Sequence, residues 1–137
     1  MLFAGNSGVG KTTMSKLWGE DADTKILSDD RIIIRKLDGA FRIYGTPWHG
    51  TGKFAKPDSA ELKKIFFLKH GDKNKMTPLR SSDAISRLLA ASFPPLWDKE
   101  GMGFILEQSS ELFSTLPAYE LTFVPDAKAT DLIKSKT

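Results

Sequence analysis

Eight consecutive residues, Gly5, Asn6, Ser7, Gly8, Val9, Gly10, Lys11 and Thr12, are the part of the chain best suited to chemistry. They satisfy the spacing G-x-x-x-x-G-K-[ST] of a phosphate-binding P-loop at every fixed position. Gly5, Gly8 and Gly10 permit backbone conformations that other residues avoid, so successive N–H groups can point into one concavity. A helix beginning at the end of the loop adds the positive end of its dipole, which suits phosphate. In such a loop Lys11 reaches the terminal phosphates and the Thr12 hydroxyl ligates Mg²⁺. Thr13 is counted with the nucleotide-binding set. The competing interpretation is a Gly-rich turn that fits the pattern by chance.

A P-loop needs a carboxylate partner for the metal and, in a transferase, a base for the acceptor proton. Asp29 and Asp30 are the best candidates, lying one helix beyond the loop at the end of an apolar run. Strand alternation sends neighbouring side chains in opposite directions. Asp29 is therefore expected at Mg²⁺ and Asp30 at the acceptor hydroxyl. A plain turn between two strands, which Asp also favours, is the alternative. Glu107, following Phe104, Ile105 and Leu106, is a minor competing acidic site. It would matter only if that segment were a strand, and its helical spacing argues otherwise.

Other residues divide between chemical and structural roles. His49 stands among Thr46, Trp48, Thr51 and Lys53 in a segment without periodicity. It is either a substrate-phosphate ligand or proton carrier, since His titrates near neutral pH, or an exposed loop residue. Lys53 either adds charge to the transferring group or is solvated. His70, beside Gly71 and Asp72, reads as a turn residue; Arg31 either lies near the acidic pair and sets its charge balance or, the favoured reading, pairs on the sheet surface.

These groups need elements to position them. Residues 1–4, Met-Leu-Phe-Ala, read as the end of a buried strand, and Met14, Leu17 and Trp18 recur at helical spacing after the loop. Residues 25–28 read as a short strand. Residues 31–35 and 41–44 read as a hairpin around Asp38-Gly39, and residues 45–57 as a loop long enough to have a function. The segment 62–68 is apolar on consecutive positions, as a strand buried on both faces would be. A short extended piece spans 75–79. A helix capped by Ser81 or Ser82 presents Ile85, Leu88, Leu89 and Phe93, and Pro94-Pro95 ends it. A second helix is expected over 98–115, with Phe93 and Trp97 closing the core near its start. A half-buried strand at 119–123 and a helix capped by Asp126 finish the chain. Hairpins and adjacent strands argue for an α/β domain with a mixed sheet.

The 137 residues suit one small domain with a real core, at 40% apolar, 27% charged and net charge +3. The basic stretch containing Lys63, Lys64, Lys69, Lys73 and Lys75 reads as a solvated edge and hairpin, not a nucleic-acid surface. Cysteine is absent, which is compatible with a reducing cytosol, so the expected location is cytoplasmic. No apolar run approaches membrane-spanning length.

The P-loop of residues 5–12 followed by Ser28, Asp29, Asp30 and Arg31 resembles the catalytic domain of HPr kinase/phosphorylase and its smaller relatives. Residues 44–50, Tyr-Gly-Thr-Pro-Trp-His-Gly, are similar to a loop of the uncharacterised HPr-kinase-like group. The resemblance implies a mixed-sheet P-loop fold of the phosphoenolpyruvate carboxykinase type. It also implies ATP and Mg²⁺ as ligands, Asp29 at the metal and Asp30 as acid/base, transfer of the γ-phosphoryl group to a hydroxyl, and a homo-oligomer. HPr kinases carry an N-terminal domain and a His upstream of the P-loop strand, so the chain is expected to lack an N-terminal strand or domain. Two alternatives stand beside a kinase with an unidentified protein, peptide or small-molecule acceptor. One is a nucleotide-binding regulatory or biosynthetic accessory domain, and the other an ordinary P-loop small-molecule kinase with a parallel sheet.

Overall fold

The computed structural model of the protein describes residues 1–136. Alternation along one central strand sets its layers. In β5 (Ile65–His70), Ile65 and Phe67 enter one apolar cluster while Phe66 and Leu68 enter another, as period-2 geometry requires of a strand buried on both faces. β5 pairs in parallel with β1 (Leu2–Ala4) on one side and with β7 (Ala118–Phe123) on the other. Antiparallel β6 (Lys75–Pro78) completes the order β1-β5-β7-β6. The sheet is mixed, and β1 occupies an edge.

Helices cover both faces. On one face α1 (Lys11–Gly19) and α4 (Ala127–Ser135) bury Met14, Trp18, Ala129 and Ile133 against Phe66, Leu68, Leu121 and Phe123. On the other, α2 (Ser81–Ala90) and α3 (Lys99–Thr115) bring Ala84, Leu112 and Phe113 to Ile65, Phe67 and Ala118. A leucine-sized side chain fully removed from water contributes about 1.5–3 kcal/mol, so these two clusters dominate the stability of the domain. Among the described residues no helix is long and apolar enough to cross a membrane.

A second, antiparallel sheet of order β2-β3-β4 is built on the hairpin β2 (Ile32–Leu37) and β3 (Ala40–Gly45), with β4 (Ser59–Glu61) on its far edge. Leu37 pairs with Ala40 around Asp38 and Gly39, at φ 50° and 79°. Two positive φ values in a two-residue loop make a type I′ turn, which matches the twist of the strands it joins. Phe41 and Ile43 point from β3 into the α2–α3 side of the core.

Several expected details change. Residues 25–28 form no ladder. Leu27 O accepts from Lys56 N at 2.8 Å and Ser28 makes an isolated bridge to Ala55, because an irregular loop, not a strand, runs alongside. The strand expected over 62–68 is shifted, forming as β5 at Ile65–His70; the buried Leu62 lies in the crossing that leads there from β4, which pairs with β3. Neither Ser81 nor Ser82 caps α2. Arg80 occupies the N-cap without a side-chain bond, and Ser81 Oγ donates to Phe113 O instead, tying α2 to α3. Asp98 and Asp126 do cap α3 and α4, accepting from Glu100 N and Lys128 N. Phe93 and Trp97 do not close the core. They are 80% and 88% exposed, since the chain leaves α2 at Ala90 and the two prolines that follow carry it outward. Glu107 lies on the exposed side of α3, not on a strand.

Candidate active site

The parallel sheet delivers the P-loop to its carboxyl-terminal edge. β1 ends at Ala4, and α1 starts at Lys11 with Gly10 as its N-cap at φ 102°. Gly8 is also left-handed, at φ 81°. An added Cβ on Gly10 would sit 2.6 Å from Cζ of the buried Phe123, so both φ and space demand glycine there. No side chain caps α1, and its first turn holds no acidic residue. The first N–H groups of a helix have no intrahelical acceptor. At this end they meet the positive pole of the helix dipole with no internal anion to neutralise them.

Lys11 Nζ folds back across the loop, donating to Gly5 O at 2.8 Å and Asn6 O at 2.9 Å. The same Asn6 carbonyl accepts from Val9 N at 3.3 Å. Burial holds the Lys11 ammonium below the ordinary lysine pKa, while the charge of Asp30 pulls it back upward. Asn6, Ser7 and Gly8 are exposed, and Thr12 and Thr13 lie half-buried in the first turn of α1.

The acidic pair separates, although Asp29 and Asp30 lie in a bend and not at the end of the expected strand. Asp29 is buried, and each of its carboxylate oxygens accepts a backbone N–H, Oδ1 from Gly50 at 2.8 Å and Oδ2 from Gly52 at 2.7 Å. A Cβ on Gly52 would approach Oδ2 to 2.6 Å, so the Gly50-Thr51-Gly52 spacing is what lets the loop of residues 46–58 wrap this carboxylate. Ser28 Oγ donates to Trp48 O and accepts from Asp30 N, closing the clip. Asp29, expected as a metal ligand, is thus committed to holding a loop. Asp30 is exposed and is the carboxylate whose charge acts on Lys11.

Arg31 lies beside the acidic pair and not on the sheet surface. Its Nε stands 3.8 Å from Asp30 Oδ2, and its guanidinium lies over Phe93 at 4.9 Å and Trp48 at 5.9 Å from the ring centroids. Such contacts are worth about 0.5–1 kcal/mol when exposed. They give the exposed Phe93 a role outside the core.

Gly5, Lys11, Asp30 and Arg31 meet at a cleft of about 700 Å³ that opens between the free edge of β1, the β2–β3 hairpin and the α2–α3 pair. Its walls are mainly apolar, with Ile32, Ile34, Leu88, Phe104 and Leu112 prominent. Apolar walls with a few convergent polar groups are the usual character of a small-molecule site. His49 does not line this cleft. It is exposed, and its Nδ1 lies 3.0 Å from Gly50 O in its own loop. Lys53 occupies the turn that closes that loop, at φ 56°, with its N–H on Gly50 O. His70 is the residue the sequence analysis undervalued: its Nε2 donates to Gly8 O at 2.8 Å. The available signal was the strand expected over 62–68, buried on both faces and ending just before it; its parallel pairing with β1 brings their carboxyl ends to the same edge.

The residues present fit a phosphate chain, because the loop amides, Lys11 and the uncapped α1 all offer donors. Among the described residues no group of three or more His, Asp or Glu side chains is assembled to hold a metal unaided. Comparison of the chain with known protein families, with curated proteins and with solved structures gives no match.

Proposed function

We propose that the protein is an ATP-dependent phosphotransferase of the HPr kinase/phosphoenolpyruvate carboxykinase type, acting on a hydroxyl acceptor in the cytoplasm. The observation that carries this reading is the meeting of Lys11 and Asp30 at the polar end of one apolar-walled cleft. The loop amides and Lys11 hold the phosphates of ATP, and positioning with electrostatic stabilisation supplies most of the catalysis in such transfers. Mg²⁺ entering with ATP would offset charge on the phosphates, and Thr12 and Asp30 are the residues that would hold it. Asp30 takes the proton of the acceptor hydroxyl as its oxygen bonds to the γ-phosphorus. The bond from that phosphorus to the β–γ bridging oxygen breaks, and ADP leaves. The apolar walls favour an acceptor with an apolar body over a bare sugar phosphate.

One observation favours a second reading, a nucleotide-binding accessory domain without transferase activity. With Asp29 committed to loop amides, a single free carboxylate remains for both metal and proton. Asp30→Asn separates the two. In a transferase it lowers label transfer from γ-labelled ATP to lysate acceptors by about 10²-fold or more and leaves ADP affinity within about threefold by calorimetry. A wild-type protein that binds ADP and labels nothing supports the accessory reading. Undiminished transfer by Asp30→Asn overturns the assigned role.

A further inference from the structure

His70 ends β5, and the parallel pairing of β1 with β5 sets that end beside the loop leaving β1. Its ring makes two contacts. Nε2 reaches Gly8 O at 2.8 Å, and the ring stacks on Phe123 with centroids 6.1 Å apart and planes 25° apart. A carbonyl only accepts, so Nε2 carries the proton, as it does in the imidazolium and in one neutral tautomer. Phe123 in turn fills the space beneath Gly10. The two rings form one continuous wall under the loop, Phe123 limiting the depth of Gly10 and His70 holding the peptide after Gly8.

That peptide matters because its plane is rigid. In a trans peptide C=O and N–H point in opposite directions, so fixing Gly8 O toward His70 turns Val9 N–H the other way, into the loop. There it makes a long bond of 3.3 Å to Asn6 O, an acceptor it shares with Lys11 Nζ. A phosphate oxygen entering the loop competes with a carbonyl that already serves two donors. Gly8 has φ 81°, and a Cβ there would meet nothing within 4 Å. Two hydrogen bonds hold this peptide, from His70 to Gly8 O and from Val9 N to Asn6 O, and the bond from His70 is the shorter.

We infer that His70 is a positioning residue of the phosphate loop, presetting the Val9 amide to donate to a bound phosphate. The inference rests on the loop binding nucleotide as proposed above, but the conformational part stands apart from it. The test uses the full chain with His70→Gln, which keeps a side-chain N–H donor, and His70→Phe, which keeps the stack on Phe123 and removes the donor. Two quantities are read: amide hydrogen exchange at Val9 without nucleotide, and the Kd for Mg²⁺–ADP by calorimetry. His70→Phe is expected to speed Val9 exchange and raise Kd about five- to tenfold, the effect of losing one net hydrogen bond. His70→Gln is expected to stay within about twofold of wild type in both. Unfolding midpoints checked alongside ensure that folded protein is compared. Wild-type exchange at Val9 in His70→Phe overturns the inference. An unchanged Kd with faster exchange overturns the role in binding. If the wild-type protein fails to bind Mg²⁺–ADP, the proposed function falls, and the exchange data alone decide whether His70 orients the loop.

Discussion

Two glycine-rich loops flank the candidate site, and they solve the same electrostatic problem in opposite ways. In the loop of residues 46–58, Gly50 and Gly52 turn their N–H groups onto an anion that belongs to the chain, the buried Asp29 carboxylate. In residues 5–10 the glycines shape a concavity at the uncapped start of α1 that holds no acidic side chain. There the ammonium of Lys11 donates to the carbonyls of Gly5 and Asn6. One loop carries its own anion; on the function proposed above, the other receives one from a nucleotide, beside the exposed Asp30 that shares the cleft with Lys11. Backbone amides around a carboxylate make a structural clip, and under that proposal amides left without one make a receptor.

The largest effect that can break this comparison is expected at Gly10. Gly10→Ala requires φ 102° of an L side chain and drives its Cβ against Phe123, a residue only 1% exposed and so without room to move. Left-handed strain and overpacking together predict a loss of about 2–4 kcal/mol in urea unfolding, with the phosphate site distorted. A loss under about 0.5 kcal/mol would show that the loop is not held as described.

Asp29→Asn sharpens the contrast. It replaces a carboxylate accepting two N–H bonds by an amide with one acceptor oxygen, leaving a buried Gly50 or Gly52 N–H facing another donor. The expected cost is about 1–3 kcal/mol, with ADP affinity nearly unchanged because both Asp29 oxygens are engaged by the loop amides. A large loss of ADP affinity without loss of stability would instead restore Asp29 to the metal site.

A smaller effect comes from a carboxylate held by side chains instead of amides. The hydrogen bond from Arg87, and after it the charges of Arg87 and Lys69, hold Glu120 below the ordinary glutamate pKa. A lowered folded pKa gives stability that is full above roughly pH 4.3 and is lost as pH falls through the folded value. Arg87 is exposed at the surface, so solvent screening leaves about 0.5 kcal/mol. Arg87→Met should lose that amount at pH 7 and converge on wild type in urea titrations as pH falls below the lowered pKa of Glu120. A constant difference across that range would mean that the contact is packing, not charge.

What could be read from the chain alone followed from contiguity. The strand, glycine loop and helix around residues 5–12, the Asp38-Gly39 turn and the Asp126 cap each depend on residues within a few positions of one another, and each is seen. The fates of Asp29 and His70 depended on partners distant in sequence. Asp29 pairs with amides of residues 50 and 52, and His70 with the carbonyl of residue 8. Asp29 and Asp30 do part, but not by alternation along a strand, since none forms at residues 25–30; a loop distant in sequence takes up Asp29. The glycine pair in that loop was the overlooked signal. Phe93 and Trp97 failed as core residues because apolarity alone does not show where the chain points after a double proline.

The most direct test of the difference between the loops follows their backbone amides by NMR during a Mg²⁺–ADP titration. The predicted result is large, saturable shifts at Val9, Gly10, Lys11 and Thr12, with Gly50 and Gly52 unmoved because Asp29 already occupies them. Shifts concentrated at Gly50 and Gly52, with Val9 through Thr12 silent, would contradict the assignment of the first loop as receptor and the second as clip.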